Sequence, residues 1–191
     1  MDYKEIFKIA FLLISSPARA WEEIRIEEDK QKVITSFVYP MIGLCALSVF
    51  IGSIWTNGWG GPQSFQFAMS QCAAIAVALF GGYYLAAFAI NQLCVTMLGM
   101  PDDLPLARQF AGYAMVVTFL LHLVMGLLPE FAVIGWLLHL YIIYLVWVGA
   151  PVVMQVSEAD RLRFTIPVSV LLVICPAFIH LVFNQLNALL T

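Results

Sequence analysis

Five long apolar runs constrain the fold of this chain more than any other feature of its sequence. The runs cover residues 33–55, 68–98, 110–128, 131–154 and 166–190. A transmembrane helix needs about 20 apolar residues to cross about 30 Å of hydrocarbon. Because the runs are continuous rather than alternating, and because bare backbone groups are costly in lipid, we expect helices rather than barrel strands. The sequence predicts an all-α integral membrane protein with five transmembrane helices.

The composition supports a membrane protein and argues against several classes of partner. The chain is 62% hydrophobic and 11% charged, whereas soluble domains are about 45–50% apolar and about 25% charged. No basic stripe with interleaved aromatic residues is present, so the expected partner is the lipid bilayer and not a nucleic acid. The cysteines lie inside apolar runs without a paired motif, which is typical of small core residues. We predict no cofactor.

The distribution of positive charge predicts the orientation in the membrane. Every Lys and Arg lies before the first run or in the connectors that follow the second and fourth runs. The connectors at the opposite end, and the C-terminal tail, carry none. The positive-inside rule therefore predicts a cytoplasmic N-terminus and an external C-terminus. In a prokaryote, the membrane would be the plasma (inner) membrane.

Residues 1–32 form a cytoplasmic segment that differs from the transmembrane domain, residues 33–191. Apolar side chains at helical spacing predict a first amphipathic helix lying at the membrane interface. Pro17 breaks this helix and is suited to begin a second one, with Ser16 as its N-cap. Two interpretations of the second helix stay open. It is a solvated elbow that anchors the first span, or a surface that docks a cytoplasmic partner through Trp21, Glu22, Glu23 and Arg25.

Small residues recur every four positions in the second run, at Ala74, Ala78, Gly82 and Ala86. This pattern lets a neighbouring helix backbone approach closely. It predicts a helix-packing face, used within the chain or in a homo-oligomer.

Three histidines lie at a similar depth in three different runs: His122, His139 and His180. Asn184 shares the helix face of His180, because residues at i and i+4 are neighbours on a helix. Polar groups in a membrane usually face other helices or a cavity, so these four residues form a candidate intramembrane polar cluster. A packing network, unrelated satisfied side chains, and a metal or substrate site are the alternatives. No HExxH motif or acidic dyad accompanies them, so we assign no metal ligand and no catalytic residue.

Three stretches carry a resemblance to a known family. They are LISSPARAWEEI at 13–24, LARQFAGYAMVV at 106–117 and LYIIYLVWVGAPVV at 140–153. Together with the order of amphipathic segment and five spans, they resemble the Yip family, which comprises Rab-interacting membrane proteins and their prokaryotic relatives. Gly112 and Tyr113 match the GY pair of that family, whereas its eukaryotic DLY element has no counterpart. The resemblance implies a helical membrane protein used in organisation, adaptor work or trafficking-like tasks.

Three function hypotheses follow. The first is a non-catalytic membrane scaffold or adaptor with a membrane or cytoplasmic protein partner. The second is a small transporter, channel or lipid-handling protein that uses the polar cluster. The third is an intramembrane metalloenzyme, which would require a metal on the histidines.

Overall fold

The computed structural model describes residues 3–57, 61–131, 135 and 137–190, and all regular secondary structure in that part of the chain is helical. A π-helical turn, Ile34–Val38, leads into α3, and a 3-10 turn, Pro129–Phe131, follows α6. The helices are α1 Tyr3–Ser15, α2 Pro17–Ile26, α3 Tyr39–Asn57, α4 Pro62–Leu98, α5 Leu104–Ala114, α6 Val116–Leu127, α7 Tyr141–Val152 and α8 Arg161–Leu190.

Within the part of the chain that the structure describes, four helical segments are long and apolar enough to cross a membrane, and each overlaps a predicted run. They are Ile34–Thr56, Pro62–Leu98, Leu104–Leu127 and Arg161–Leu189. The prediction of a helical protein with several membrane spans is therefore confirmed. The 37 residues of α4 correspond to about 55 Å of helix, which exceeds the hydrocarbon thickness and requires the helix to tilt or protrude.

The fourth predicted run, 131–154, is not the continuous helix that its hydropathy suggests. Within it, α7 has only 12 residues, which is about 18 Å of helix and too short for a full crossing. His139 and Leu140 form a turn immediately before α7. Residues 132–134 and 136 of this run lie outside the described residues. Described residues 135, 137 and 138 are helical as well, so the prediction of one continuous helix is corrected to helical residues that a turn at 139–140 separates from α7.

The third run also begins earlier than hydropathy alone suggests, at Leu104. Asp103 is the N-cap of α5, and its Oδ1 accepts a hydrogen bond from the Leu106 amide at 2.9 Å. Such a cap satisfies one of the free N–H groups at the start of a helix. The span is then divided into α5 and α6 by a single non-helical residue, Met115.

Contacts along the helices define their relative directions. Tyr39 of α3 lies 2.9 Å from Tyr84 of α4, hydroxyl to hydroxyl, while the Phe50 ring near the other end of α3 packs on Phe65 near the start of α4. These two helices are therefore antiparallel. The Cys45 thiol of α3 donates to a carbonyl near the start of α6, and Gly52 lies close to a glycine near its end, so α3 and α6 are parallel.

Helix α8 is antiparallel to α4. Pro176 packs against Gly82 near the middle of both helices. Asn187 near the end of α8 donates a hydrogen bond to Ser70 near the start of α4, at 3.0 Å. Helices α3, α6 and α8 thus point in one direction and α4 points in the other.

The charged parts of the chain meet at one end of this bundle, which we call the charged end. An ion pair of 2.7 Å joins Lys30, which follows α2, to Asp103 in the connector between α4 and α5. Arg25 of α2 and Gln155, which follows α7, line one cavity of about 400 Å³. The N-terminal segment and both positively charged connectors are therefore neighbours.

Candidate functional site

The amphipathic segment folds as two helices that break at the predicted position. Pro17 is at the first turn of α2, where its missing N–H costs no hydrogen bond, and Ser16 is the N-cap residue without a side-chain cap bond. In α1, Ile6, Ala10 and Leu13 are buried in the bundle, while Phe7 and Phe11 remain exposed. The segment therefore packs on the bundle along one face and keeps a second apolar stripe outside.

Trp21 fastens α2 to the bundle. Its side chain is fully buried, its ring stacks on Phe110 of α5 at 5.0 Å between centroids, and its Nε1 donates to the Leu145 carbonyl of α7 at 3.0 Å. A Cβ added at Gly149 of α7 would lie 2.5 Å from the indole ring. The glycine leaves the space that the indole occupies between α5 and α7.

Polar contacts also attach α2 and the residues that follow it to the bundle. Each joins α2, or the chain just after it, to α5 or to the residue that caps α5. They are Gln109 Nε2 donating to the Ile24 carbonyl at 3.2 Å, the Tyr113 hydroxyl donating to Glu27 at 3.1 Å, and the Lys30–Asp103 ion pair. The Gln109 amide is buried, so its hydrogen bond is worth more than a solvated one because the unpaired group would be costly.

Gly112 and Tyr113, the pair that matches the family motif, have distinct physical tasks. A Cβ at Gly112 would lie 2.9 Å from methyl groups of both Val33 and Val38. Glycine therefore allows α5 to approach the start of the first span closely. Tyr113 is buried and directs its hydroxyl to Glu27. The pair joins α5 to the N-terminal segment on two sides.

The connector between α4 and α5 is ordered by an amide and two carboxylates. Asn91 donates to Asp102 at 2.7 Å, and its Oδ1 accepts from the Asp103 amide at 3.2 Å. Burial alone would raise the pKa of the Asp103 carboxyl, but hydrogen bonds from Lys30 and the Leu106 amide, together with the Lys30 charge, hold that pKa below its usual range. Because this ion pair is about one-third exposed on each side, it contributes modestly to stability.

The four predicted partner-docking residues separate into two groups. Trp21 is inside the bundle and cannot contact a partner while α2 is docked. Glu22, Glu23 and Arg25 are exposed on the opposite side of α2. The contact of Gln109 with α2 was not predicted from the sequence. A polar side chain close to the GY pair was the signal that could have indicated it.

The four small residues of α4 are buried within the same chain, where Gly82 lies against Pro176 of α8. Ala74, Ala78, Gly82 and Ala86 are all buried. A Cβ at Gly82 would lie 2.5 Å from the Pro176 backbone. This close approach uses the face within the chain, and a homo-oligomer that uses it stays a prediction.

The three histidines line a common cavity of about 180 Å³, which we call the histidine cavity. It lies between α4, α6, α8 and the turn before α7. His180 is about 28 Å along α8 from Arg161 by helical rise, so the cavity lies far from the charged end. Asn184 is 3.4 Å from the His180 ring nitrogen but is not part of the cavity lining.

The histidine rings are engaged by local hydrogen bonds. Nδ1 of His122 lies 2.8 Å from the Thr118 carbonyl, and Nδ1 of His139 lies 2.9 Å from the Gly135 carbonyl. A carbonyl only accepts, so Nδ1 carries the proton in both rings. Among the residues that the structure describes, no three His, Cys, Asp or Glu side chains form a group that could hold a metal ion.

The long apolar helices and their burial pattern define a polytopic helical membrane protein with a docked N-terminal segment. The family model of the Yip1 domain matches residues 11–179. The chain therefore belongs to the Yip1 domain family, as its three resembling stretches indicated. None of the curated proteins and none of the solved structures with which the chain was compared matches it.

Proposed function

We propose that this Yip1-family protein is a non-catalytic membrane scaffold or adaptor that presents the outer face of α2 to a cytoplasmic protein partner. The observation that carries this proposal is the attachment of α2 to the bundle through the buried Trp21. A helix that merely leads into a membrane span does not need a buried indole, a stacked ring and a hydrogen bond to a distant helix. Fixing a surface before binding lowers the entropy lost when a partner binds.

The outer face of α2 and the residues that follow it have the composition of a docking surface. Four exposed acidic side chains, with the exposed Arg25 among them, form what we call the acidic face: Glu22, Glu23, Glu28 and Asp29. Ile26 lies among them with 74% of its surface exposed. Acidic residues around one apolar side chain suit a partner with a basic surface and a small apolar recess, since charge guides association and apolar contact adds affinity.

The adaptor role requires α2 in the cytoplasm, and the charge distribution supports that orientation. All nine Lys and Arg residues belong to the N-terminal segment or to the parts of the chain near the two connectors of the charged end. By the positive-inside rule this end is cytoplasmic, and the C-terminus of α8 is external. In a prokaryotic cell the membrane is the plasma membrane.

Helix directions support five crossings, although four helical segments among the described residues have full length. Because α6 and α8 point the same way, the chain between them has to return to the charged end. Helix α7 and the residues before it would make that fourth crossing. A reporter enzyme that is active only outside the cytoplasm should then be active when fused after residue 191. An inactive fusion would place the C-terminus in the cytoplasm and would show that either the orientation or the odd number of crossings is wrong.

Charge reversal on the acidic face tests the adaptor role. In the double variant Glu22→Lys with Glu23→Lys, a specific subset of the proteins that co-purify from native membranes should be lost. Quantitative mass spectrometry of the co-purifying proteins measures this loss. Glu5→Lys is the matched control, because Glu5 is also exposed but belongs to α1. An unchanged set of co-purifying proteins in the double variant would argue against the proposal.

A second candidate function is the handling of a lipid or a small solute, and the histidine cavity favours it. This role is compatible with the adaptor role because the cavity and the acidic face are at opposite ends of the bundle. Flux or lipid-transfer assays in vesicles that contain the purified protein would test it.

A further inference from the structure

Two buried hydroxyls in the described part of the chain have no hydrogen-bond partner: Thr118 Oγ1 and Ser169 Oγ. Thr118 lines the histidine cavity and Ser169 lines a neighbouring groove. A buried polar group without a partner is costly and uncommon in native proteins, so each needs an explanation. Thr118 is the more informative, because only 2% of its surface is exposed.

Thr118 differs from a threonine in a comparable setting. Thr165 of α8 is also buried, and its hydroxyl donates to the Arg161 carbonyl four residues earlier, at 2.8 Å. Helical threonines commonly make this local bond. Thr118 does not make it and lines the cavity instead. Its hydroxyl can donate to, or accept from, a group that enters the cavity.

His122 complements this hydroxyl. Its Nδ1 donates to the Thr118 carbonyl at 2.8 Å, so in the neutral ring Nε2 is an acceptor. The cavity therefore combines a hydroxyl with an imidazole acceptor on neighbouring turns of α6. A ligand hydroxyl matches the pair, since it donates to one group while it accepts from the other.

An apolar groove adjoins the histidine cavity. This lateral groove has a volume of about 330 Å³, lies between α7 and α8, and shares His139 and Val173 with the cavity. Its rim consists of exposed aliphatic side chains: Ile143, Ile166, Val170 and Ile174. On a membrane-spanning helix, such side chains face lipid. A ligand that fills both spaces has a polar head and an apolar chain.

The charge of the residues that line the cavity and the groove indicates which kind of lipid head they can bind. None of the described residues that line the cavity or the groove is Asp, Glu, Lys or Arg. A phosphate head would be buried without Lys or Arg, and the histidines of the lining would have to take up a proton before they could pair with it, which is unfavourable. An uncharged head with a hydroxyl has no such cost.

We propose that the histidine cavity binds the hydroxyl head of a neutral, single-chain lipid whose acyl chain lies in the lateral groove. Thr118 and His122 hold the head hydroxyl, and the aliphatic rim of the groove holds the chain. The proposal gives the second candidate function a ligand class, and it does not depend on the adaptor role, because the residues involved are separate.

Three probes with the same oleoyl chain test the proposal. Purified protein in phosphatidylcholine nanodiscs is titrated with labelled 1-oleoylglycerol, and unlabelled 1-oleoylglycerol, methyl oleate and oleoyl-lysophosphatidic acid compete. We expect saturable binding, with the glycerol ester competing at least tenfold better than the other two. Equal competition by methyl oleate would show that the hydroxyl is not recognised, and stronger competition by the phosphate would overturn the uncharged head.

Two matched variants locate the site. Thr118→Val keeps the shape of the side chain and should weaken binding of 1-oleoylglycerol about fivefold, the ordinary effect of one net hydrogen bond. It should not lower the unfolding temperature, because no protein hydrogen bond is lost. Thr165→Val should leave the affinity unchanged. The proposal would be overturned if Thr118→Val and the wild type bound 1-oleoylglycerol with equal affinity. It would also be overturned if binding were not saturable because a second copy or water fills the space.

Discussion

Replacing Trp21 with alanine should release α2 from the bundle without unfolding the membrane helices. The indole is fully buried, stacks on Phe110 and donates a hydrogen bond to Leu145 of α7. Truncation removes all three interactions and leaves an empty space beside Gly149. The contacts among α3, α4, α6 and α8 do not involve this side chain, so the bundle itself should persist.

The expected magnitude follows from the size of the side chain. Burying tryptophan rather than alanine in a core is worth about 3–5 kcal/mol. Since about 1.4 kcal/mol is a tenfold change in an equilibrium constant, even the lower value raises the undocked population of α2 about 150-fold. The polar contacts to Gln109 and Tyr113 would remain, and they contribute about 1 kcal/mol for the amide bond and about 1.5–3 kcal/mol for the bond to the Glu27 carboxylate.

Hydrogen exchange of the α2 amides in lipid nanodiscs measures this change, because exchange reports local opening. Amides of α2 should exchange about 150-fold faster or more in Trp21→Ala, while those of α4 should be unaffected. Trp55→Ala is the control, since Trp55 is 73% exposed. If α2 exchanges no faster in Trp21→Ala than in Trp55→Ala, the indole does not hold α2 and our reasoning fails.

Three further predictions concern the same attachment. Gly112→Ala should lower the free energy of unfolding by about 1–3 kcal/mol, because the added methyl group overpacks the contact with Val33 and Val38. Gly43→Ala should not lower it, because a Cβ at Gly43 meets open space. Thermal unfolding of the two variants tests this difference. Tyr113→Phe should increase exchange of the α2 amides by about tenfold or more, because one hydrogen bond to a carboxylate is lost; no increase would refute this. The pKa of Asp103 is lowered on folding, so its contribution is present above about pH 4 and is lost as pH falls below. Asp103→Asn should therefore reduce the acid dependence of unfolding, and an identical pH profile would contradict this.

Local signals were sufficient to predict part of the structure. Pro17 cannot continue a helix, and the break between α1 and α2 lies there. The limit of α4 at residue 98 followed from hydropathy, and the structure shows that Gly99, with φ of 64°, caps the helix there, because glycine adopts the left-handed conformation readily. These features depend on a few neighbouring residues, so single positions in the sequence report them.

The tertiary contacts could not be predicted in the same way. Trp21 meets Leu145, which is 124 residues away in sequence, and only the rotation of α7 decides that contact. The similar depth of the histidines followed from helical rise, whereas their common cavity depends on the rotation of separate helices. The short length of α7 was hidden because hydropathy does not distinguish a continuous helix from an apolar segment with a turn at His139.

A photo-cross-linking side chain at Ile26 tests the central claim most directly. Ile26 is 74% exposed at the acidic face, and Phe11 of α1, at 71%, provides a control position with similar exposure. In native membranes, the probe at Ile26 should give a discrete protein adduct that the probe at Phe11 does not give. The adduct should be lost when Trp21→Ala releases α2. An adduct of the same intensity in Trp21→Ala, or none at Ile26 in the wild type, would contradict the claim that docked α2 presents a partner surface.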